Sequence, residues 1–254
     1  MRLFRTTAAA TLLIAVLDAA APVRPNADGF SPPPAGEVLS YTVEWRFIHA
    51  GNARLSWNPD GDGWAARLHL ESAGMVSRLY RVEDDSLSML DRQLCAVSLN
   101  LKANEGSRRH ETNVSYDSVR RRAFYRDHDL VKNVTVFHET DIQSCSNDMI
   151  GGLFALRRLR LDPGHSAEIP MSDGKKAIMA KVEAQERETI KTDSGTYKTI
   201  RYEAFVFNNI LFRRSGRLFV WITDDDRRLP VQFRVRMPIY VGTVTLQLAK
   251  VGKS

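Results

Sequence analysis

The sequence predicts an all-β protein, mainly antiparallel: a strongly curved sheet or half-barrel with one or two covering helices. Three observations carry this reading. Apolar and polar residues alternate through eight separate stretches, turn-forming residues separate the stretches, and only two short runs carry helical spacing instead.

The alternating stretches run the length of the chain. Tyr41, Val43, Trp45 and Phe47 enclose Thr42, Glu44 and Arg46, and Trp64, Ala66, Leu68 and Leu70 enclose Arg67 and His69. Val97–Leu101, Thr112–Tyr116, Ile178–Val182, Ile200–Val206, Val231–Met237 and Val244–Leu248 repeat the pattern. A period of two places one set of side chains on a buried face and the other in water, the mark of an antiparallel sheet. Asn58-Pro59-Asp60-Gly61, Ser172-Asp173-Gly174, Asp193-Ser194-Gly195 and Asp224-Asp225-Asp226 supply reversals. Met75, Val76, Leu79 and Tyr80 are spaced as a short helix. Met149, Ile150, Leu153, Phe154 and Leu156 are spaced as a longer one, with Ser146 or Asn147 as cap, arginines at its end and Pro163-Gly164 beyond. Both read as helices laid over an open sheet face.

The first residues lie outside this fold. Arg2 and Arg5, an apolar run from Thr6 to Leu17 and small residues Ala19–Ala21 have the layout of a cleavable signal peptide, residues 1–21. The run is shorter than the roughly 20 residues needed to span a bilayer, and no later run is long enough. Pro22, Pro25 and Pro32–Pro34 mark residues 22–35 as an extended tether. Residues 36–254 then form one β-rich domain, with 140–147 as the only candidate division into two subdomains. These features place the protein in the periplasm or outside the cell. Composition, 43% hydrophobic and 26% charged, excludes disorder and a polytopic membrane protein. The net charge of +6 becomes +5 once Arg2, Arg5 and Asp18 are removed, an excess that favours anionic surfaces. An exported chain is a poor candidate for nucleic acid.

Chemical signatures are sparse. There is no G-x-S-x-G, H-E-x-x-H, phosphate-binding glycine loop or C-x-x-C, so no catalytic residue, cofactor or metal site is expected. The densest polar cluster, Asp127, His128, Asp129, His138, Asp141 and Cys145, matches no metal or nucleophile template and reads as a solvated loop that leads into a disulfide. Cys95 and Cys145, the only cysteines, read as a disulfide in an oxidising compartment rather than two buried thiols. A bridge closing about 50 residues contributes roughly 4 kcal/mol by loop entropy. Arg120–Arg122, Arg157-Arg158, Arg213-Arg214 with Arg217, and Arg234 with Arg236 read as solvated edges, with an anionic-lipid patch as the alternative. Among the aromatics, Trp45, Phe47, Tyr80, Phe154, Phe219 and Trp221 are the candidate ligand-binding residues: a curved, aromatic-lined sheet lidded by helices can enclose an apolar molecule.

Gly36–Trp45 with Ala50-Gly51-Asn52-Ala53 resembles the opening of the bacterial domain-of-unknown-function family 3108. Leu156-Arg157, Leu161-Asp162-Pro163-Gly164 and Ile169-Pro170 with Asp173-Gly174 resemble its middle. Gly195–Thr199, Gly216–Asp225 and Arg228-Leu229-Pro230-Val231 resemble its end. The resemblance implies an exported, mostly β protein of bacterial envelopes and carries over no functional residue. Trp221, Asp225 and Leu229-Pro230 also look like part of the half-barrel lipoprotein carriers, a likeness of fold alone. The expected function is therefore a non-enzymatic envelope protein that binds an apolar or amphiphilic ligand such as a lipid. The alternative is a structural or assembly partner of another envelope protein, without a small-molecule ligand.

Overall fold

The computed structural model describes residues 33–238 and 242–253; the expected leader, 1–21, and most of the expected tether, 22–35, lie outside them. The first half of the chain forms strands Glu37–Trp45 (β1), Ile48–Asp60 (β2), Gly63–Ser72 (β3), Val82–Leu90 (β4), Ala96–Glu105 (β5), Arg108–Asp117 (β6), Arg122–Asp129 (β7) and Val134–Asp141 (β8). The second half forms Ser166–Ser172 (β9), Ala177–Thr192 (β10), Gly195–Ala204 (β11), Arg217–Thr223 (β12), Pro230–Arg236 (β13) and Thr243–Lys253 (β14). Helix Gly74–Leu79 (α1) joins β3 to β4, and helix Met149–Arg158 (α2) joins β8 to β9.

All fourteen strands join one antiparallel sheet in the order β8 to β1, then β14 to β9. It is a meander whose first and last strands pair along their length, Glu37 opposite Lys253 and Trp45 opposite Val244. The two sheet edges are therefore β8 and β9, and the chain crosses from one to the other through residues 142–165. The sheet curls until its β9 edge packs against β6 and β7, without closing into a barrel. The Tyr116 hydroxyl on β6 donates to the Ser172 carbonyl of β9 at 3.0 Å, and Lys175 Nζ lies 3.3 Å from the Tyr125 hydroxyl on β7. Gly174, at φ +85°, sits so close to β6 that a Cβ there would stand 2.8 Å from Val114.

Helix α2 braces this curl. At its start the Asp148 carboxylate accepts from the Gly151 amide at 2.7 Å and from the Ser88 hydroxyl of β4 at 2.5 Å. Asn147 pairs with Met171 of β9 in an isolated parallel bridge. At its end the buried Arg157 guanidinium donates to both oxygens of Glu37 on β1, at 2.6 and 3.1 Å, and to the Arg228 carbonyl at 2.9 Å. Arg228 reciprocates from the β12–β13 connection, donating to the last carbonyls of the helix at Arg157 and Leu159. Gly152 lets the helix approach β9: a Cβ there would lie 2.8 Å from the Met171 methyl. The Cys95–Cys145 disulfide ties the segment before α2 to the start of β5. The expectation of sheet-covering helices holds for α2 alone. Helix α1 buries no residue, because its stripe of Met75, Leu79 and Tyr80 faces solvent rather than the sheet.

Two consequences are measurable. Glu37→Ala leaves the Arg157 charge buried and unpaired, and we expect a loss of about 3–5 kcal/mol in urea unfolding, with most of it recovered by Glu37→Leu combined with Arg157→Met. Burial also holds the Asp148 carboxyl above the usual carboxylate range, against the opposing hydrogen bonds from Ser88, Gly151 and Ile150. The folded state then binds this proton more tightly than the unfolded state. Stability from Asp148 falls as pH rises from the unfolded value of about 3.9 to the raised folded value. Asp148→Asn keeps an oxygen for the Gly151 amide and removes that slope. The stability difference between variant and parent should therefore move in the variant's favour across this window and level off above it.

Candidate functional site: an apolar cavity

Between α2 and the concave face of the sheet lies a cavity of about 350 Å³. Alternation decides what lines it. On β12, Leu218 and Val220 point inward; on β13, Phe233 and Val235 do; on β14, Leu246 does. Small side chains supply the space: Ala180 and Val182 from β10, Ala204 from β11 and Gly152 from α2. Leu153 and Leu156 form the helix wall. The one side-chain hydroxyl in the lining belongs to Tyr41, and it is engaged, donating to the Pro230 carbonyl at 2.8 Å. Its pKa is pushed far up by burial, with Arg157 opposing, so it stays a neutral phenol. No polar group of this lining is left to meet a charged or hydrogen-bonding solute, and an apolar chain is what the walls can hold.

None of the six aromatic candidates lies in the lining of this cavity. Phe154 projects from α2 on its other side, its ring 4.1 Å from Trp57, which stacks in turn on Trp64 at 4.6 Å. Phe219 and Trp221 point to the opposite face of β12 from Leu218 and Val220. There Arg201, Arg217 and Arg236 lie over the Phe219 ring, Arg234 lies over Trp221, and Trp221 Nε1 donates to Glu188 at 3.2 Å. The desolvated Arg234 guanidinium has its pKa lowered, by burial first and by neighbouring Arg236 and Arg201 next. Trp45 is half-buried at the end of β1, with the Arg46 guanidinium over its ring. Phe47 is 98% exposed in the β1–β2 turn, and Tyr80 is exposed after α1. Arg46 and Phe47 both adopt positive φ, 50° and 67°, as a two-residue hairpin turn requires, although neither is a glycine.

Sequence reading missed the aliphatic lining. Its signal was present in the inward set of each strand, Leu218/Val220 and Phe233/Val235, but nothing in the pattern says which set of a doubly buried strand faces a void. The polar cluster of the first half is spread along the β6–β8 ladder: Asp127 accepts from His110 and Thr112, His128 meets Thr135, and Cys145 is in the disulfide.

The matching of whole chains agrees with this architecture. The sequence model of a family of proteins of unknown function, DUF3108, matches residues 40–249. The chain belongs to that family. No curated protein matches it. Among solved structures, this DUF3108 protein is similar to a β-barrel-like protein of domain of unknown function DUF1849 from Brucella abortus. The TM-score is 0.56 and the identity 7%, over 86% of this chain and 97% of that one. It is also matched, at a TM-score of 0.38 and 7% identity, by a chain from Bacteroides fragilis provisionally described as an exported protein with YmcC-like fold, over 88% of this chain and 99% of that one. The first likeness shows a shared β-barrel-like fold and nothing of function.

The positions of the aromatics set a contrast in stability. Phe154→Ala removes a fully buried ring and should cost about 3–5 kcal/mol. Phe47→Ser should change the denaturation midpoint by no more than about 0.5 kcal/mol.

Proposed function

We propose that this DUF3108 protein is an exported, non-enzymatic envelope component that holds the apolar chain of a lipid or other amphiphile in the cavity beneath α2. The observation that carries the reading is the lining: about 350 Å³ bounded by apolar side chains, with its one hydroxyl already bonded. That volume lies in the range of small-molecule sites, roughly 300–1,000 Å³. A polar headgroup inside would lose its hydrogen bonds to water without replacement, so it must stay at the cavity mouth. Export is supported by the charged, apolar and small-residue pattern of residues 1–21 and by the Cys95–Cys145 bridge, which suits an oxidising compartment.

A second reading, assembly with another envelope protein, has its own support. β8 is a sheet edge with Val134, Val136 and Phe137 exposed, whereas the β9 edge carries the Asn147 bridge. An unpaired apolar edge is a template for another strand. A photo-crosslinker at Phe137 that reproducibly captured one envelope protein would favour it.

The cavity is tested by titration with cis-parinaric acid, an unbranched fluorescent fatty acid. We expect saturable one-to-one binding. Ala180→Phe and Val220→Trp, which fill the space, should each weaken it roughly tenfold or more, about 1.4 kcal/mol, while near-ultraviolet circular dichroism reports retained packing. Absence of saturable binding, or binding indifferent to both substitutions, sinks the proposal.

A further inference from the structure

The antiparallel meander sends alternate connections to opposite ends of the sheet, and around the β1–β14 seam the two ends differ in chemistry. One end carries the β1–β2 turn, the β3–β4 connection with α1, the β11–β12 connection and the β13–β14 connection. These four contain Arg46, Arg78, Arg81, Arg213 and Arg214 and no carboxylate. Arg81 reaches Glu83 on the adjacent strand at 2.8 Å. The other end carries the β2–β3, β4–β5, β10–β11 and β12–β13 connections, where Asp62, Asp91, Asp193, Asp224, Asp225 and Asp226 outnumber Arg92, Arg227 and Arg228, and Arg92 pairs with Asp62.

The basic end is also apolar. Phe47 is 98% exposed, Leu79 76% and Met75 69%, with Ile48 and Tyr80 exposed beside them. Helix α1 packs against β2, and the Ala73 amide donates to the Ala50 carbonyl, which brings Met75, Leu79 and Tyr80 to the side of the β1–β2 turn. Single exposed apolar residues are ordinary; a cluster at one end is not. The positive φ of Phe47 holds the most exposed ring out on a turn that disfavours it sterically. The cavity lining reaches the same end through Ala204, Val206, Leu218 and Val235, at the termini of β11, β12 and β13.

We propose that this end docks on an anionic lipid bilayer, with Phe47, Met75, Leu79 and Tyr80 entering the headgroup region and Arg46, Arg78, Arg213 and Arg214 set against lipid phosphates. Aromatic and aliphatic side chains mixed with an excess of arginine are the chemistry of an interfacial membrane surface. Docked in this way, the protein sets the end of the sheet that the cavity lining reaches against the lipid. The docking does not require the cavity to be filled, so it stands or falls separately from the ligand-binding proposal.

Both native cysteines are in the disulfide, so an introduced cysteine is the one thiol available for an environment-sensitive nitrobenzoxadiazole label. Phe47→Cys and Leu79→Cys carry the label at the basic end. Val119→Cys, 91% exposed in the β6–β7 turn at the other end, carries the control. The full chain is mixed with vesicles of phosphatidylethanolamine and phosphatidylglycerol. We expect emission at positions 47 and 79 to rise and move to the blue, and that at 119 to stay unchanged. Arg213→Gln with Arg214→Gln should weaken vesicle partitioning roughly fivefold per residue removed, and Ala180→Phe should leave the response intact. Unchanged emission at 47 and 79, or an equal change at 119, overturns the proposal. A blue shift that grows with protein concentration without vesicles overturns it as well, and assigns the end to a second copy of this chain.

Discussion

The fold depends on one brace. A sheet of this width has two edges, and nothing in the hydrogen-bond ladder itself brings β8 and β9 together. Helix α2 supplies the connection, because each of its ends is bonded to a different part of the curl. Asp148 and Asn147 fasten its start to β4 and β9, and Arg157 and Arg228 fasten its end to β1 and the β12–β13 connection. Arg157 and Glu37 are both buried, so their charges must find each other or be solvated at the expense of the fold. Such a pair adds little net stability over an apolar substitute, but it tolerates one geometry. That geometry fixes where the helix crosses the concave face.

The brace also explains why one side of the interior is filled and the other is not. On one side of α2 the large rings of Trp57, Trp64 and Phe154 pack face against face. On the other side the facing positions are Ala180, Val182, Ala204 and Val220, too small to reach Leu153 and Leu156 across the gap. The helix cannot settle inward to close that gap without breaking its bonds to β1 and β4. A cavity in a close-packed interior forfeits dispersion contacts along its walls. This one persists because polar bonds at both ends of the helix hold the walls apart.

Much of the architecture was legible in the chain. Alternation marked eight of the fourteen strands among the described residues and passed over β2, β4, β7, β8, β9 and β12; the aspartate and glycine turns marked reversals; and the Met149–Leu156 stripe with arginines behind it marked α2, whose cap is Asp148 rather than the expected Ser146 or Asn147. The cysteine pair marked the bridge. The site was less legible, and β12 shows why. Its alternation, Leu218, Phe219, Val220, Trp221, offers two apolar faces, and the aromatic face is the more conspicuous. Phe219 and Trp221 nevertheless turn away from the cavity. The long β10–β11 hairpin, bent at the bulge between Ala184 and Arg187, reaches over β13 and β14 on that side and supplies Glu188 and Arg201. A covered outer face makes aromatics core residues there, and no local pattern records that a hairpin distant in sequence will cover it. Helix α1 misled in the opposite way: Met75, Leu79 and Tyr80 have the spacing of a core stripe, but the six-residue helix sits at the ends of β3 and β4 and buries none of them.

The same asymmetry bears on how a ligand would enter. At the braced end, the disulfide, the Arg157–Glu37 pair and the arginine-capped helix terminus hold the strands to one another through side chains. At the opposite end around the seam, the β3–β4 and β11–β12 connections are long, Met75 and Leu79 of α1 are exposed, and the Ala73 amide fastens α1 to Ala50. Local opening follows the regions with the fewest buried contacts. Separation of the strands beside β11–β12 and β13–β14 would widen the cavity without disturbing α2, whereas separation at the braced end would expose two buried charges. For the proposed ligand, opening at the basic, apolar end is the route that leaves those charges buried. The asymmetry in charge, the exposed rings and the path of least resistance converge on one face of the molecule.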